Sequence, residues 1–357
     1  MNRGYPHISI RTGPGRKTVI KLSAPTGNVT SVLHSEPTDV PHPDHADTLV
    51  QASGLTKRFG DFTAVDGIDF SITRGEAFGF LGPNGAGKSS TMRMVGCVSP
   101  PTGGQLTILG RDPVTDGAAI RARLGVVPQE NTLDIELTVR ENLIVYGRYF
   151  GLPRGVIRER AASLLEFVQL SDRAEDQVDP LSGGMKRRLV IARSLINDPD
   201  ILLLDEPTTG LDPQARHIVW DRLFRLKQRG VTLILTTHYM DEAEQLCDRL
   251  VVMDAGKIVA EGSPRQLIGQ YSTPEVLELR FDPADHQQAA EKLVALQSAL
   301  QSERQEVLAD RVLIYTRNGD QALEAARALG VEPITSLARR STLEDVFLRL
   351  TGRQLGD

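Results

Sequence analysis

The 357-residue chain predicts an α/β fold built on a buried parallel sheet, followed by a small C-terminal α+β domain. Three observations carry that reading. Apolar Ala77-Phe78-Gly79-Phe80-Leu81 runs into a glycine-rich segment and then into a helical stretch from Ser90 to Val95. Ile201-Leu202-Leu203-Leu204 is apolar at every position and ends in Asp205-Glu206, which suits a central strand buried on both faces. Beyond Ser263-Pro264 the pattern changes to short alternating strands interleaved with helical faces.

Residues 1–48 hold Pro6, Pro14, Pro25, Pro37, Pro41 and Pro43 with no sustained apolar period, and read as a disordered extension. His7, His34, His42 and His45 fall there at irregular spacing, which favours a solvated tail over a metal site. The main domain is expected over 49–269. It opens with Leu49-Val50-Gln51-Ala52 and a hairpin-like stretch from Ala64 to Thr73. Next comes Gly82-Pro83-Asn84-Gly85-Ala86-Gly87-Lys88-Ser89, which fits G-x-x-x-x-G-K-[ST]. Glycines let such a loop turn its N–H groups inward around phosphate oxygens, and the helix start at Ser90 adds positive partial charge. Lys88 then reaches the β- and γ-phosphates, and the Ser89 hydroxyl ligates Mg²⁺.

Further along, Leu137 to Leu143 carries a helix-start pattern within a helical insertion expected over about 131–195. Leu181-Ser182-Gly183-Gly184-Met185 precedes a helix. Ser182 is a good N-cap, and two glycines leave bare amides, together an anion site; Lys186, Arg187 and Arg188 set a basic first turn against the helix dipole. Asp205 ends its strand where ligands bind in open α/β sheets, placed to hold the Mg²⁺ shell. Glu206 points elsewhere and is the candidate to polarise an attacking water. Val231 to Thr237 is a strand ending at His238, and Arg249–Met253 with Lys257–Ala260 reads as two strands joined by the turn Asp254-Ala255-Gly256.

In the C-terminal domain, expected over 272–357, Val276–Phe281 and Val312–Tyr315 read as strands. Ala290, Leu293, Leu296 (or Gln297) and Leu300 mark one helix, and Leu323, Ala326 and Leu329 a second. Ser341-Thr342-Leu343-Glu344 fits a capping box, followed by Leu343, Val346, Phe347 and Leu350 on one helical face. This domain is expected to be able to fold independently, and it carries no chemical constellation.

Composition narrows the function classes. The chain has 41 basic and 46 acidic residues, net −5, which argues against nucleic acid as its partner. Cys97 and Cys247 lie on separate elements without metal spacing and are expected to be buried thiols in a reducing compartment. No apolar run approaches the roughly 18–20 residues that span a bilayer, and no secretory signal is evident.

Leu181-Ser182-Gly183-Gly184-Met185 resembles the signature of ATP-binding cassette (ABC) ATPases, with Met185 where glutamine is usual. The likeness implies a phosphate-loop ATPase core with an antiparallel β subdomain and an inserted helical subdomain, working with ATP and Mg²⁺. It also implies roles for single residues. Phe59 would stack on adenine, with Gly82 to Ser89 and Ser90 around the phosphates. Gln129 would meet Mg²⁺ and the water and link the site to the helical subdomain, while Glu206 and His238 complete the catalytic set. Ser182, Gly183 and Gly184 would face the γ-phosphate held by a partner subunit, and Asp212, in Gly210-Leu211-Asp212-Pro213, would reach across an ATP-driven homodimer.

Met185 to Leu189, Ile196 to Pro199, Ala215-Arg216-His217, Leu246 to Leu250 and the tail Thr342 to Gly352 are closer still to one group. They resemble the ATP-binding proteins of Nod factor (lipo-oligosaccharide) exporters and the daunorubicin-resistance exporter ATPases. That likeness implies a peripheral protein on the cytoplasmic face of a bacterial inner membrane. It would power export of an amphipathic cargo through a separately encoded ABC-2 type permease. An importer ATPase and a soluble ABC ATPase of ribosomes or chromosomes are the alternatives; one cassette and no heptad run disfavour the second.

Overall fold

The computed structural model describes residues 47–295, 302–328 and 330–352. The N-terminal extension, with its four histidines, lies outside them except for Asp47 and Thr48. Two long strands open the described chain, β1 (Thr48–Phe59) and β2 (Phe62–Thr73), paired antiparallel with Val50, Leu55, Val65, Ile68 and Ile72 buried. Their apolar face packs on Phe78 and Phe80 of β3 (Ala77–Leu81) and on Met92, Met94 and Val95 of α1 (Lys88–Val95). β4 (Gly103–Ile108) pairs antiparallel with the other edge of β1.

The central sheet runs in the order β5 (Leu124–Val127), β6 (Ile201–Asp205), β7 (Thr232–Thr237), β3, β8 (Arg249–Asp254), β9 (Lys257–Gly262). Neighbours are parallel up to β8, and β9 turns back antiparallel. Every residue of β3 and β7 is buried, as the continuous apolar runs predict for strands covered on both faces. Short α2 (Gly117–Arg121) precedes β5, α6 (Pro213–Gln228) crosses from β6 to β7, and α7 (Met240–Leu246) leads from β7 to β8. The expected turn after β8 places Ala255 at φ 46° and Gly256 at φ 80°, the left-handed pair a two-residue hairpin requires.

Between β5 and β6, α3 (Val139–Tyr149), α4 (Arg154–Phe167) and α5 (Gly183–Ser194) enclose a separate core with Val139, Leu143, Leu165 and Leu189 at its centre. Thr138 caps α3, and Glu141 answers in a reciprocal capping box. No helix among the described residues is long and apolar enough to cross a membrane.

After α8 (Pro264–Tyr271) the chain forms β10 (Glu275–Arg280), α9 (His286–Ala295), β11 (Ser302–Val307), β12 (Val312–Thr316), α10 (Gly319–Ala328) and β13 (Thr335–Arg340). Strand order β11-β12-β10-β13, all antiparallel, makes a split βαβ unit. The sequence reading found β10 and β12 but not the edge strands. Ser-Glu-Arg-Gln-Glu-Val and Thr-Ser-Leu-Ala-Arg-Arg are too polar to announce a strand, which is how edges resist further pairing. The helical faces expected to continue to Leu300 and to Leu329 leave the described residues after Ala295 and Ala328.

Three expectations need correction. The last helix, α11 (Leu343–Thr351), is capped by Thr342 with Asp345, not by Ser341 with Glu344. Arg339 draws Asp345 inward, with its nitrogens 2.7 and 2.9 Å from the carboxylate, and Glu344 is left exposed. Next, Leu343, Val346 and Phe347 join the main core beside Leu246, Cys247 and Leu267, so this helix is not part of a free-standing C-terminal unit. Finally, Cys247 is buried, but Cys97 is only partly so.

Candidate active site

The glycine-rich loop joins β3 to α1, and its glycines are sterically required. A Cβ on Gly82 would meet the Met253 carbonyl at 2.3 Å, and one on Gly87, at φ 103°, would meet that of Ala64 at 2.5 Å. Asn84, Gly85 and Ser89 stay exposed, Pro83 and Ser90 half-buried, and Ala86 buried. Lys88 is buried and bends back, donating to the carbonyls of Gly82 (2.6 Å) and Pro83 (2.9 Å). Burial pushes its pKa down, and the charges of Glu206 and Asp205 oppose that shift. The lysine therefore sits between its own loop and the two carboxylates.

At the end of β6 the two acids diverge, as the sequence implies. Asp205 accepts from the hydroxyl of Thr236. Glu206 takes the left-handed conformation, φ 44°, unusual for a residue with a side chain, and its amide donates to the Thr236 carbonyl at 3.1 Å. That turn buries its carboxylate among three partners. Gln129 Nε2 donates to Oε2 at 3.0 Å, Thr209 Oγ1 donates to the same oxygen at 3.2 Å, and His238 Nδ1 lies 3.1 Å from Oε1. The histidine contact has ion-pair distance without hydrogen-bond alignment. Gln129, expected at the cation and the water, here holds Glu206.

Arg187 is the residue that sequence reading missed. Rather than lining an exposed basic turn, it is buried and donates to the carbonyls of Pro128, Gln129 (3.3 Å), Asp205 (3.1 Å), Glu206 (3.2 Å) and Pro207 (2.6 Å). One guanidinium thus ties α5 to the Gln129 loop and to the end of β6. Burial lowers its pKa to about 10, against the opposing field of Glu242 and Asp205. Flanked by Lys186 and Arg188, it has no local signal of its own; only its phase on the helix sets it inward.

Ser182, Gly183, Gly184 and Asp212 form a second group. Ser182 caps α5, its hydroxyl accepting from the Met185 amide at 3.3 Å, and Asp212 caps α6 by accepting from Ala215 at 2.8 Å. The two glycines differ. Gly183 is open, with Leu211 Cδ2 nearest at 3.9 Å, whereas a Cβ on Gly184 would lie 2.7 Å from that of Ala215. The second glycine therefore has a packing reason that the sequence did not reveal. Met185 packs against the helical core, and Phe59 ends β1 half exposed with Lys57 Nζ 5.0 Å from its ring centroid.

Comparison with known proteins identifies the family and the fold. The ABC transporter family profile matches residues 65–209, and that of the C-terminal domain of nodulation factor export protein NodI matches 288–352. The chain is 46% identical over 315 residues to a Nod factor export ATP-binding protein I of Ralstonia nicotianae, covering 87% of this chain and 95% of that protein. It is 47% identical over 306 residues to the protein of that name in Rhizobium sp. (strain N33), covering 86% and 98%. Among solved structures, an ATP-binding cassette of an ABC transporter in its ADP conformation aligns with TM-score 0.57 at 26% identity, over 63% of this chain and 94% of that one. A dimeric cassette in a post-hydrolysis state with ADP and phosphate aligns with TM-score 0.55 at 28% identity, over 60% and 98%.

Proposed function

This chain belongs to the Nod factor export ATP-binding proteins, ATPases of the ABC transporter family, and from that premise we propose that it powers an exporter. Its cargo is an amphipathic lipo-oligosaccharide or a similar hydrophobic molecule, carried by a separately encoded ABC-2 type permease. The chain itself works as an ATP-driven homodimer on the cytoplasmic face of the inner membrane. A similar cassette solved as a dimer with ADP and phosphate supports the assembly.

The observation that carries the hydrolytic reading is Glu206, held by Gln129 and Thr209 and facing His238 at the end of the central strand. A carboxylate fixed there, one residue past Asp205, can orient a water and accept its proton. Lys88 supplies a positive charge for the β- and γ-phosphates, His238 a contact to the γ-phosphate, and Phe59 a face for adenine. Across the dimer, Ser182 with the amides of Gly183 and Gly184 would complete the γ-phosphate pocket beside Asp212. Mg²⁺ fits the donor set, since the exposed Ser89 hydroxyl, the half-exposed Asp205 carboxylate and the Gln129 amide oxygen are hard oxygen ligands. When bound, the cation neutralises charge on the phosphates.

A cavity of about 460 Å³ beside Gln129 and Asp205 supports a permease contact. Val126 and Val98 line it, and both are exposed. Ile135, exposed too, precedes α3, so an apolar partner surface has somewhere to sit. The test is co-expression with the cognate permease. Membrane recovery of the chain should require the permease, and lipo-oligosaccharide should reach the medium with wild type but not with Glu206→Gln. Equal membrane binding without the permease, or a purely cytosolic chain alongside it, would overturn the exporter reading.

A further inference from the structure

The last helix has both of its faces occupied. On one side Leu343, Val346 and Phe347, none more than 1% exposed, lie in the main core with Ala243 and Leu246 of α7 and Leu267 of α8. On the other, Leu348 packs with Val276, Leu313 and Tyr315 of the C-terminal sheet, and Asp345 takes two nitrogens of Arg339. Arg339 also donates to Glu278 on β10 at 2.5 Å, which anchors the ion pair in the sheet. α11 thus contacts both the C-terminal sheet and α7.

The contact with α7 is directional as well as apolar. The Leu343 N–H, an orphan donor in the first turn of α11, donates to Glu244 Oε1 at 2.6 Å. That acceptor also brings negative charge to the helix N-terminus. Apolar contact alone would let α11 slide along α7; this hydrogen bond pins its register.

α7 in turn begins beside the site. Tyr239 is its N-cap, and His238 immediately precedes it. The Tyr239 ring lies 4.2 Å from the imidazole, and the Arg216 guanidinium sits 4.6 Å from that ring while pairing with Asp241 at 3.1 Å. His238, Tyr239, Met240 and Asp241 form one wall of a cleft of about 320 Å³, and Glu344, Phe347 and Leu348 of α11 form the other. The histidine segment therefore faces Glu206, stacks through Tyr239 against Arg216 and lies across the cleft from α11.

We propose that α11 positions His238: Leu343, Phe347 and Glu244 set where α7 begins, so the C-terminal domain governs turnover rather than nucleotide binding. This rests on the reading of His238 as a residue of the hydrolytic site. Glu244 and Phe347 are positioning residues, since neither touches the nucleotide site directly.

The test uses the full chain carrying Glu244→Leu, Glu244→Gln or Phe347→Leu, with kcat, nucleotide Kd and Tm measured for each. Glu244→Leu removes the acceptor for Leu343, Glu244→Gln keeps one, and Phe347→Leu trims the contact while staying apolar. Glu244→Leu and Phe347→Leu should each lower kcat by about tenfold with Kd within about twofold, and Glu244→Gln should stay within about twofold of wild type. In a His238→Ala background, Glu244→Leu should cost nothing further, because both act through one group. Unchanged kcat in Glu244→Leu and Phe347→Leu, a loss that merely tracks the folded or nucleotide-bound fraction, or additive losses with His238→Ala would each overturn the proposal. A wild-type chain without ATPase activity would instead refute the hydrolytic assignment on which it rests.

Discussion

The hydroxyl of Thr208 donates to Glu242 Oε1 at 2.7 Å, and the Trp220 indole N–H reaches the same oxygen at 3.2 Å. Glu242 is wholly buried, and its second oxygen has no aligned hydrogen-bond partner among the described residues. Burial pushes its pKa up, so the folded chain keeps this proton to higher pH than the unfolded chain. The sign follows from linkage. The stabilising contribution is fully present below the ordinary glutamate value of about 4.3 and is lost as pH rises through the folded value. Glu242→Gln keeps an acceptor for both donors and has no charge to desolvate. Its Tm should exceed that of wild type near about pH 8, and the gap should narrow towards about pH 5. Thermal melts across that range check it, and a gap that ignores pH would show that Glu242 does not titrate there.

Glu206 is enclosed by Gln129, Thr209 and His238, so replacing it with glutamine changes charge and basicity more than shape. Removing a general base costs roughly 10²–10⁴ in rate. Glu206→Gln should therefore lose at least about a hundredfold in kcat while nucleotide affinity holds, and ATP-loaded dimers should accumulate on size exclusion. Near-normal phosphate release by this variant would remove Glu206 from the role.

Arg187 makes a sharper prediction than its neighbours. Its fork satisfies carbonyls from two loops at once, and a lysine, with three donors at one point, cannot span them. Arg187→Lys should lower kcat by about tenfold and Arg187→Met by more. Both should lower Tm, because each buried carbonyl left without a partner costs roughly 1–3 kcal/mol. Steady-state assays and melts decide it; a lysine variant indistinguishable from wild type would show that the fork is dispensable.

What sequence could reveal follows from how local each signal is. The phosphate loop and the end of β6 were legible because an apolar strand, glycines and carboxylates follow one another along the chain. Arg187 was not, because Lys186, Arg187 and Arg188 look alike in sequence and only helical phase turns the middle one inward. Thr208 and Glu242 are 34 residues apart and meet only through the β6–β7 pairing. At the start of α11, two overlapping registers both satisfy the capping pattern. Arg339, on a neighbouring strand, selects Thr342 with Asp345. Removing that selector should be costly. Arg339→Met would leave Asp345 buried without its cation, and a loss of about 3 kcal/mol in unfolding free energy by denaturant titration is expected.

The two glycines of the signature separate packing from assembly. Gly184 is pressed against Ala215, so Gly184→Ala must force α5 away from α6 within a single chain. Overpacking of that kind costs roughly 1–3 kcal/mol, and the variant should melt lower even without nucleotide. Gly183 meets nothing nearer than 3.9 Å, and alanine suits a helix better than glycine, so Gly183→Ala should leave Tm unchanged or raise it slightly. If Ser182 and the open Gly183 amide face a phosphate held by a second copy, the added methyl stands in that path, and hydrolysis falls while monomer binding of ATP is retained. Ser182→Arg, which sets bulk and charge at the same amides, should behave alike and more severely. The decisive pattern is a stable Gly183→Ala that binds ATP without turning it over, beside an unstable Gly184→Ala. Wild-type turnover in both Gly183→Ala and Ser182→Arg would rule out a site shared between subunits at this opening, where among the described residues the nearest atom to a Gly183 methyl is Leu211 Cδ2 at 3.9 Å.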